Sequence, residues 1–419
     1  MPLASQLAIW GIAGLATAGV ILRPLHVPQA VWALSGAAAL VCLGLLPVSA
    51  AVVGIGRGVD VYLFLAGMML LAELARQEGL FDWLAARAAC MARGSARRLF
   101  GLVYIVGIVV TVFLSNDATA VVLTPAVAAV ARAAKVERPL PYLLICAFIA
   151  NAASFVLPIS NPANLVIYAN RMPALLQWLP RFALPSLLSI GATYILLRWT
   201  QRDALRQSVA LHVTVPSLSS AGKLTAAGIA ATAVALMLAS ASGIALGAPT
   251  CVAGLVTLGA VALTVRSAPW RFLREVSWGV IPLVAGLFVL VEALQRSGVI
   301  HSLGALLRGQ AQHAATLTAA GAGVAVGVAA NLINNLPAGL IAGSAVQSAD
   351  VAPQVASAIL IGVDLGPNLS VTGSLATILW LGALRRDGIQ VKAWDFLKLG
   401  LLITPPALAL ALGGLLLAG

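Results

Sequence analysis

Apolar runs of membrane-spanning length follow one another from Leu7 to Leu417, separated by short polar stretches. A helix of about 20 apolar residues covers the hydrocarbon core of a bilayer, so the pattern predicts an all-α integral membrane protein. The first runs predict spans near residues 7–22, 29–47 and 59–76, then a partly amphipathic connector at 81–91. Next comes an apolar stretch, 99–131, interrupted at Ser115-Asn116-Asp117; a second, 316–346, is interrupted at Asn334-Asn335. Each is followed by a helix with a further polar break, within 151–165 and 363–377. There Pro158, Pro162, Gly366, Pro367 and Gly373 break or loosen the helical ladder.

These similarities form a repeat. Gly67, Glu73 and Gly79 recur as Gly286, Glu292 and Gly298, and Asn116 as Asn335, all at a separation of 219 residues. The polar-broken helices align at 212, which predicts one seven-residue deletion in the second copy between the hairpin and the broken helix. A duplicated membrane chain with polar breaks in matching places is the mark of a secondary transporter.

Charge orients the copies. Only 9% of residues are charged and 61% are hydrophobic, and the net charge is +12. The basic residues are spread over short loops, as cytoplasmic loops require, so nucleic acid is not the expected partner. Arg93, Arg97 and Arg98 precede the first interrupted stretch, and Arg132, Lys135 and Arg138 follow it. Two basic flanks and arms too short to span predict a re-entrant hairpin entered from the cytoplasm; two short full spans are the competing arrangement. The far flank of the second stretch, Gln347 to Pro353, has no basic residue. The resulting expectation is an inverted repeat of five spans plus one re-entrant hairpin each, with broken helices at the midplane. Residues 1–199 form the first repeat, 200–223 a cytoplasmic linker and 224–419 the second repeat.

Unwound backbone at membrane depth survives where it lines a cavity, so the breaks mark the expected substrate site. Asp117 and Asp364 are the acids beside them. An aspartate at the bilayer centre costs roughly 2.5–3.5 kcal/mol on insertion scales, and desolvation favours its protonated form. At least one of the two is therefore expected to couple transport to a proton or cation, with capping of a half-helix as the alternative. The neutral side chains expected to bind substrate are Ser115, Asn116, Thr119, Asn161, Asn334, Asn335, Thr372, Ser374 and Thr377. Hydrogen bonding between helices is the alternative for each asparagine. No lysine or arginine lies near the breaks, so a neutral polyhydroxylated solute or a cation fits better than an anion.

Other chemistry is not indicated. Cys42, Cys90, Cys146 and Cys251 stand singly, and His26, His212, His301 and His313 form no ligand cluster, so no metal or cofactor is expected. There is no GxxxxGK[ST] sequence for ATP, and no nucleophile–base set for an enzyme. Glu73 with Arg76, and Glu292 with Arg296, predict ion pairs on helix surfaces. Trp178, Trp199, Trp270 and Trp394 read as interfacial anchors.

The stretches Phe113 to Pro125, Ile333-Asn-Asn-Leu-Pro-Ala and Gly362 to Trp380, the last containing Asp364-Leu-Gly-Pro and Gly373-Ser-Leu-Ala-Thr, resemble the ArsB arsenite-efflux family. That family belongs to the ion transporter superfamily, which includes sodium/proton antiporters of the NhaD type. The resemblance implies export of arsenite and antimonite across a bacterial inner membrane, driven by protons or by a separate arsenite-stimulated ATPase subunit. Its sodium/proton relatives supply the alternative. By position it points first to Asn116, Asp117, Asn335 and Asp364. Some family members carry a lysine where Asn368 stands, so a fixed positive charge there is no part of this chain's mechanism.

Overall fold

A computed structural model describes residues 2–24, 27–211 and 213–418, and regular structure within them is helical, with one isolated bridge between Ser95 and Ser208. The first half runs α1 Leu3–Leu22, α2 Gln29–Cys42, α3 Val48–Arg57, α4 Val59–Gln77, α5 Leu80–Ala92 and α6 Ala96–Phe113. It continues with α7 Asn116–Ala118, a wide π turn at Thr119–Leu123, α8 Thr124–Ala133, α9 Leu140–Ala152, α10 Pro162–Tyr168 and α11 Leu175–Thr200. The second half runs α12 Ser220–Ala241, α13 Gly247–Val265, α14 Trp270–Leu273, α15 Val280–Arg296, α16 Val299–His313, α17 Ala315–Ile333, α18 Asn335–Ala349, α19 Pro353–Leu365, α20 Leu375–Arg386 and α21 Ala393–Ala418. From α4 and α15 onward the two halves carry the same order of elements. The second hairpin arm and the loop after it, 335–349 and 350–352, are both shorter than 116–133 and 134–139, and together they absorb most of the deletion.

Among the described residues seven helices are long and apolar enough to cross a membrane, or up to nine if each of two bent pairs is one span. Both α6 and α17 are among the seven, yet the chain reverses after each. Thr111 and Thr119 would stand about 12 Å apart along one continuous helix, but their hydroxyls meet at 2.8 Å. The connector expected at 81–91 is the helix α5, and one whole side of it, from Leu80 to Ala92, is buried against α6 and α8.

Duplicated glycines mark the closest helix crossings. A Cβ on Gly67 of α4 would strike the backbone of Thr250 on α13, and one on Gly286 of α15 would strike Ala33 on α2. Each copy of the repeated helix thus packs against a helix of the other half. A second crossing joins α17 to α19, where Gly323 faces Gly362 and Gly327 faces Gly366, backbone on backbone. Apolar lipid gives no hydrophobic drive for such packing, so close approach through small residues supplies the dispersion contact.

The repeated helices α4 and α15 run antiparallel. Arg57, just before α4, donates to Glu292 and Gln295 near the end of α15, at 2.6 and 2.7 Å. At the other end, Gln77 reaches the Arg271 carbonyl and Arg76 faces Glu275, both ahead of α15. Glu73 binds Arg76 and Gln77, and Glu292 binds Arg296. These are the expected ion pairs, but the glutamates are buried, 8% and 4% exposed, rather than on the surface.

Candidate functional site

Each of the four polar breaks is an N-terminus of a helix, and each is capped by a neutral side chain. Ser115 Oγ accepts from Ala118 N, Asn161 Oδ1 from Ala163 N, Asn334 Oδ1 from Leu336 N, and Ser374 Oγ from Thr377 N. Residues at the caps or just after them meet. Asn116 and Asp117, Asn161 and Pro162, Asn335 and Leu336, and Leu375 and Ala376 line one cavity of about 30 Å³, closed by Leu65 from α4 and Val280 and Val284 from α15. Leu65 and Val284 stand at the same 219-residue separation, two positions before Gly67 and Gly286, so the repeat meets itself at the cavity wall.

Four helix N-termini aimed at one point create a field that favours oxygen lone pairs and negative charge. Among the described residues Asp117 supplies the one carboxyl group in the lining, and no lysine or arginine is present there. Asn116 Oδ1 accepts from Asp117 N at 2.9 Å, which turns this amide along its own helix start. After Asp117 the wide turn at 119–123 precedes Pro125, whose missing N–H cannot complete an ordinary ladder.

The structure brings Asn116, Asp117, Asn161 and Asn335 to the cavity and places the other expected site residues around it. Thr119 ties the hairpin arms through Thr111 and Ser115 O. Ser115 and Asn334 cap the tips, and Asn334, with φ +71°, also donates to Thr372 O. Thr372 bonds Asn331 O and Ser370, while Ser374 and Thr377 bond each other at 2.8 Å. Asp364 lies at the end of α19 and is fully buried; its Oδ1 accepts from Asn161 Nδ2 at 2.8 Å. Neither aspartate is a helix cap.

Asn331 was not singled out by sequence, because it sits a few residues before the break inside an unbroken apolar helix. Its amide donates to Gly327 O and Gly366 O and accepts from Ser370, so it fastens the second hairpin to the linker between α19 and α20. Asn151 and Asn368, bonded at 2.9 Å, and Asn164, which donates to three carbonyls between Ser154 and Pro158, hold the linkers in the same way. Trp178 is a correction: it is buried and donates to Phe155 O at 3.1 Å, whereas Trp199, Trp270 and Trp394 are exposed as anchors. Among the described residues no group of three or more metal-ligating side chains occurs; His26 and His212 lie outside them.

A larger, open vestibule of about 820 Å³ lies beside the cavity, between the α3–α4 junction, the end of α15, α10 and α18. Its floor includes Leu165, Val166 and Leu340, one helical turn from Pro162 and Leu336 of the cavity.

Comparison with known proteins agrees with this architecture. The chain is 25% identical over 365 residues to the arsenical pump membrane protein of Yersinia enterocolitica, covering 84% of both, and matches that of Escherichia coli K12 equally. It is 27% identical over 411 residues, 94% of both chains, to an uncharacterised transporter of Mycobacterium tuberculosis. The crystal structure of the Alcanivorax borkumensis YdaH transporter has the same fold at 17% identity, with TM-score 0.58 over 99% of this chain and 97% of that one. A family model described as citrate transporter matches residues 12–362. The chain is thus a multi-pass membrane transporter and belongs to the citrate transporter family, CitMHS.

Proposed function

We propose that this protein is a secondary active transporter that exports arsenite and antimonite from a bacterial cytoplasm by proton antiport across the inner membrane. The observation that carries the proposal is the cavity where four helix N-termini and one carboxyl group converge without a basic side chain. Trivalent arsenic in neutral solution is mainly the uncharged triol As(OH)3. Its oxygens can accept from the helix N-termini while a hydroxyl donates to the Asp117 carboxylate. A citrate-like polyanion would meet Asp117 with no cation to offset it. The arsenical pump relatives support the same substrate class.

Protonation of Asp117 removes the negative charge and makes one oxygen a donor, which weakens its hold on the substrate hydroxyl, so proton uptake and substrate release favour each other. In this cycle substrate loads from the cytoplasm onto the ionised site and leaves on the opposite side, where the carboxyl takes a proton. The antiparallel α4 and α15 support an inverted repeat. The vestibule opens near Leu246, at the start of α13, and Arg266, Arg271 and Arg274 lie beyond that helix's other end. By the positive-inside rule this supports an outward-facing vestibule. The cavity holds little more than a water molecule, and Asp117 in its lining is partly exposed.

The test is uptake into everted vesicles under an imposed proton gradient, comparing arsenite, antimonite and sodium, with no ATPase subunit added. Gradient-driven arsenite uptake is the expected result. The second reading, a sodium/proton antiporter, is favoured by the oxygen-rich lining around Asp117. It requires sodium-dependent collapse of the proton gradient without arsenite, and the four N-termini oppose a cation there.

A further inference from the structure

We infer that the two intramembrane aspartates divide the work: Asp117 alone carries the coupling proton, and Asp364 is a positioning residue that orients the Asn161 amide toward the substrate. This inference rests on the proton-coupled reading and adds to it which carboxyl group titrates.

The two groups sit in different surroundings. Asp117 lines the cavity, is partly exposed, and among the described residues no protein donor reaches its carboxyl oxygens. Asp364 is absent from the cavity lining and fully buried, so it has no direct contact with either solution. Its Oδ1 accepts from Asn161, and its Oδ2 has no partner among the described residues. A carboxyl group that must release and regain a proton in every cycle needs a path to solution; Asp117 has one through the cavity that it lines, and Asp364, buried on every side, has none.

What Asp364 does have is a hold on Asn161. That amide is fixed at both ends, its oxygen on Ala163 N at 3.0 Å and one N–H on Asp364. An amide NH2 carries two hydrogens, so the second N–H is left for the cavity that Asn161 lines. Without Asp364 the amide could flip or rotate, and the donor aimed at a substrate oxygen would be lost.

The titratable side chains on the elements packed against the first hairpin tip are few. They are Arg97, Arg98 and Tyr104 on α6, Tyr142 and Cys146 on α9, and Arg385 and Arg386 on α20, joined by Asp82, Arg87 and Cys90 on α5 against the turn that follows. The helices that close the cavity add Asp60, Tyr62, Glu73 and Arg76 on α4, Tyr168 on α10, and Glu292 and Arg296 on α15, but none of these side chains lines the cavity, where Asp117 is the titratable group among the described residues.

The test uses the full chain in everted vesicles. Asp364→Asn still offers an oxygen to Asn161, so gradient-driven arsenite uptake should persist within about threefold, with an unchanged pH profile. Asp364→Ala should raise KM for arsenite about tenfold, the worth of one oriented hydrogen bond to substrate, again without moving the pH profile. Asp117→Asn should lose the response to the proton gradient. Loss of that response in Asp364→Asn, or its retention in Asp117→Asn, overturns the inference. A second arm needs no substrate: dicyclohexylcarbodiimide, which modifies protonated carboxyl groups in apolar sites, followed by peptide mass spectrometry. Label on Asp117 that declines as pH rises, with none on Asp364, is expected; label on Asp364 overturns the division. If wild-type vesicles move neither arsenite nor antimonite, the transport reading falls while the labelling still decides which aspartate titrates.

Discussion

Replacing Asn161 by alanine removes two anchors at once, and their cost can be worked from the geometry. The side-chain oxygen caps α10 through Ala163 N at 3.0 Å, and such a cap is worth about 1 kcal/mol, within a range of roughly 0.5–2. The amide N–H donates to Asp364 at 2.8 Å; hydrogen bonds between membrane helices average about 0.6 kcal/mol in double-mutant cycles. The larger cost lies in what remains. Asp364 Oδ2 already lacks a partner, so alanine at 161 leaves the whole carboxyl group unsatisfied and buried, a penalty of about 1–3 kcal/mol. That penalty absorbs the bond energy, so the expected loss is roughly 2–4 kcal/mol. The assay is equilibrium unfolding in mixed detergent micelles, followed by tryptophan fluorescence. Asp364→Leu in the Asn161→Ala background should recover part of the loss, because it removes the orphaned group. A loss below about 0.5 kcal/mol, or an additive double mutant, would refute the reasoning.

Other outcomes follow from the packing. Gly362→Ala or Gly366→Ala should drive α19 off α17 and lower the yield of monodisperse protein on size-exclusion chromatography, at an overpacking cost of about 1–3 kcal/mol. Gly309→Ala and Gly321→Ala, with open space around the new Cβ, serve as neutral controls. Asn331→Leu frees Ser370 and the Gly366 carbonyl together, so gradient-driven uptake should fall at least tenfold, about 1.4 kcal/mol; uptake near wild type would sink that role. Trp178→Phe keeps the contacts with Phe182 and Tyr168 but orphans Phe155 O, and should cost about 1 kcal/mol in the same unfolding assay. Arg57→Ala leaves Glu292 paired with Arg296, so its cost should stay below about 1 kcal/mol.

Sequence alone was enough to expect an all-helical membrane transporter, because an apolar solvent imposes helix length and punishes charge, and both leave direct marks in the order of residues. The repeat was equally open to reading: Gly67 and Gly286 recur because each lets a backbone approach its neighbour, a need that one position expresses. The breaks could be found because prolines, glycines and clustered amides cannot continue a helix unnoticed in an apolar run. Which amide does what could not be read. Ser115, Asn334 and Ser374 cap helices while Asn116 and Asn335 line the cavity, and neighbours in sequence differ only in where the backbone turns them. Asn331 escaped notice because a single asparagine in an unbroken helix carries no local signal; its partners, Gly366 and Ser370, lie far along the chain. Trp178 looked like an anchor because side-chain type does not tell whether a tryptophan faces lipid or supports a linker from inside. The separation of Asp117 from Asp364 belongs wholly to the tertiary structure. Both sit beside a break in the sequence, but exposure and hydrogen-bond partners depend on how four helix ends meet, and packing across both halves sets that meeting.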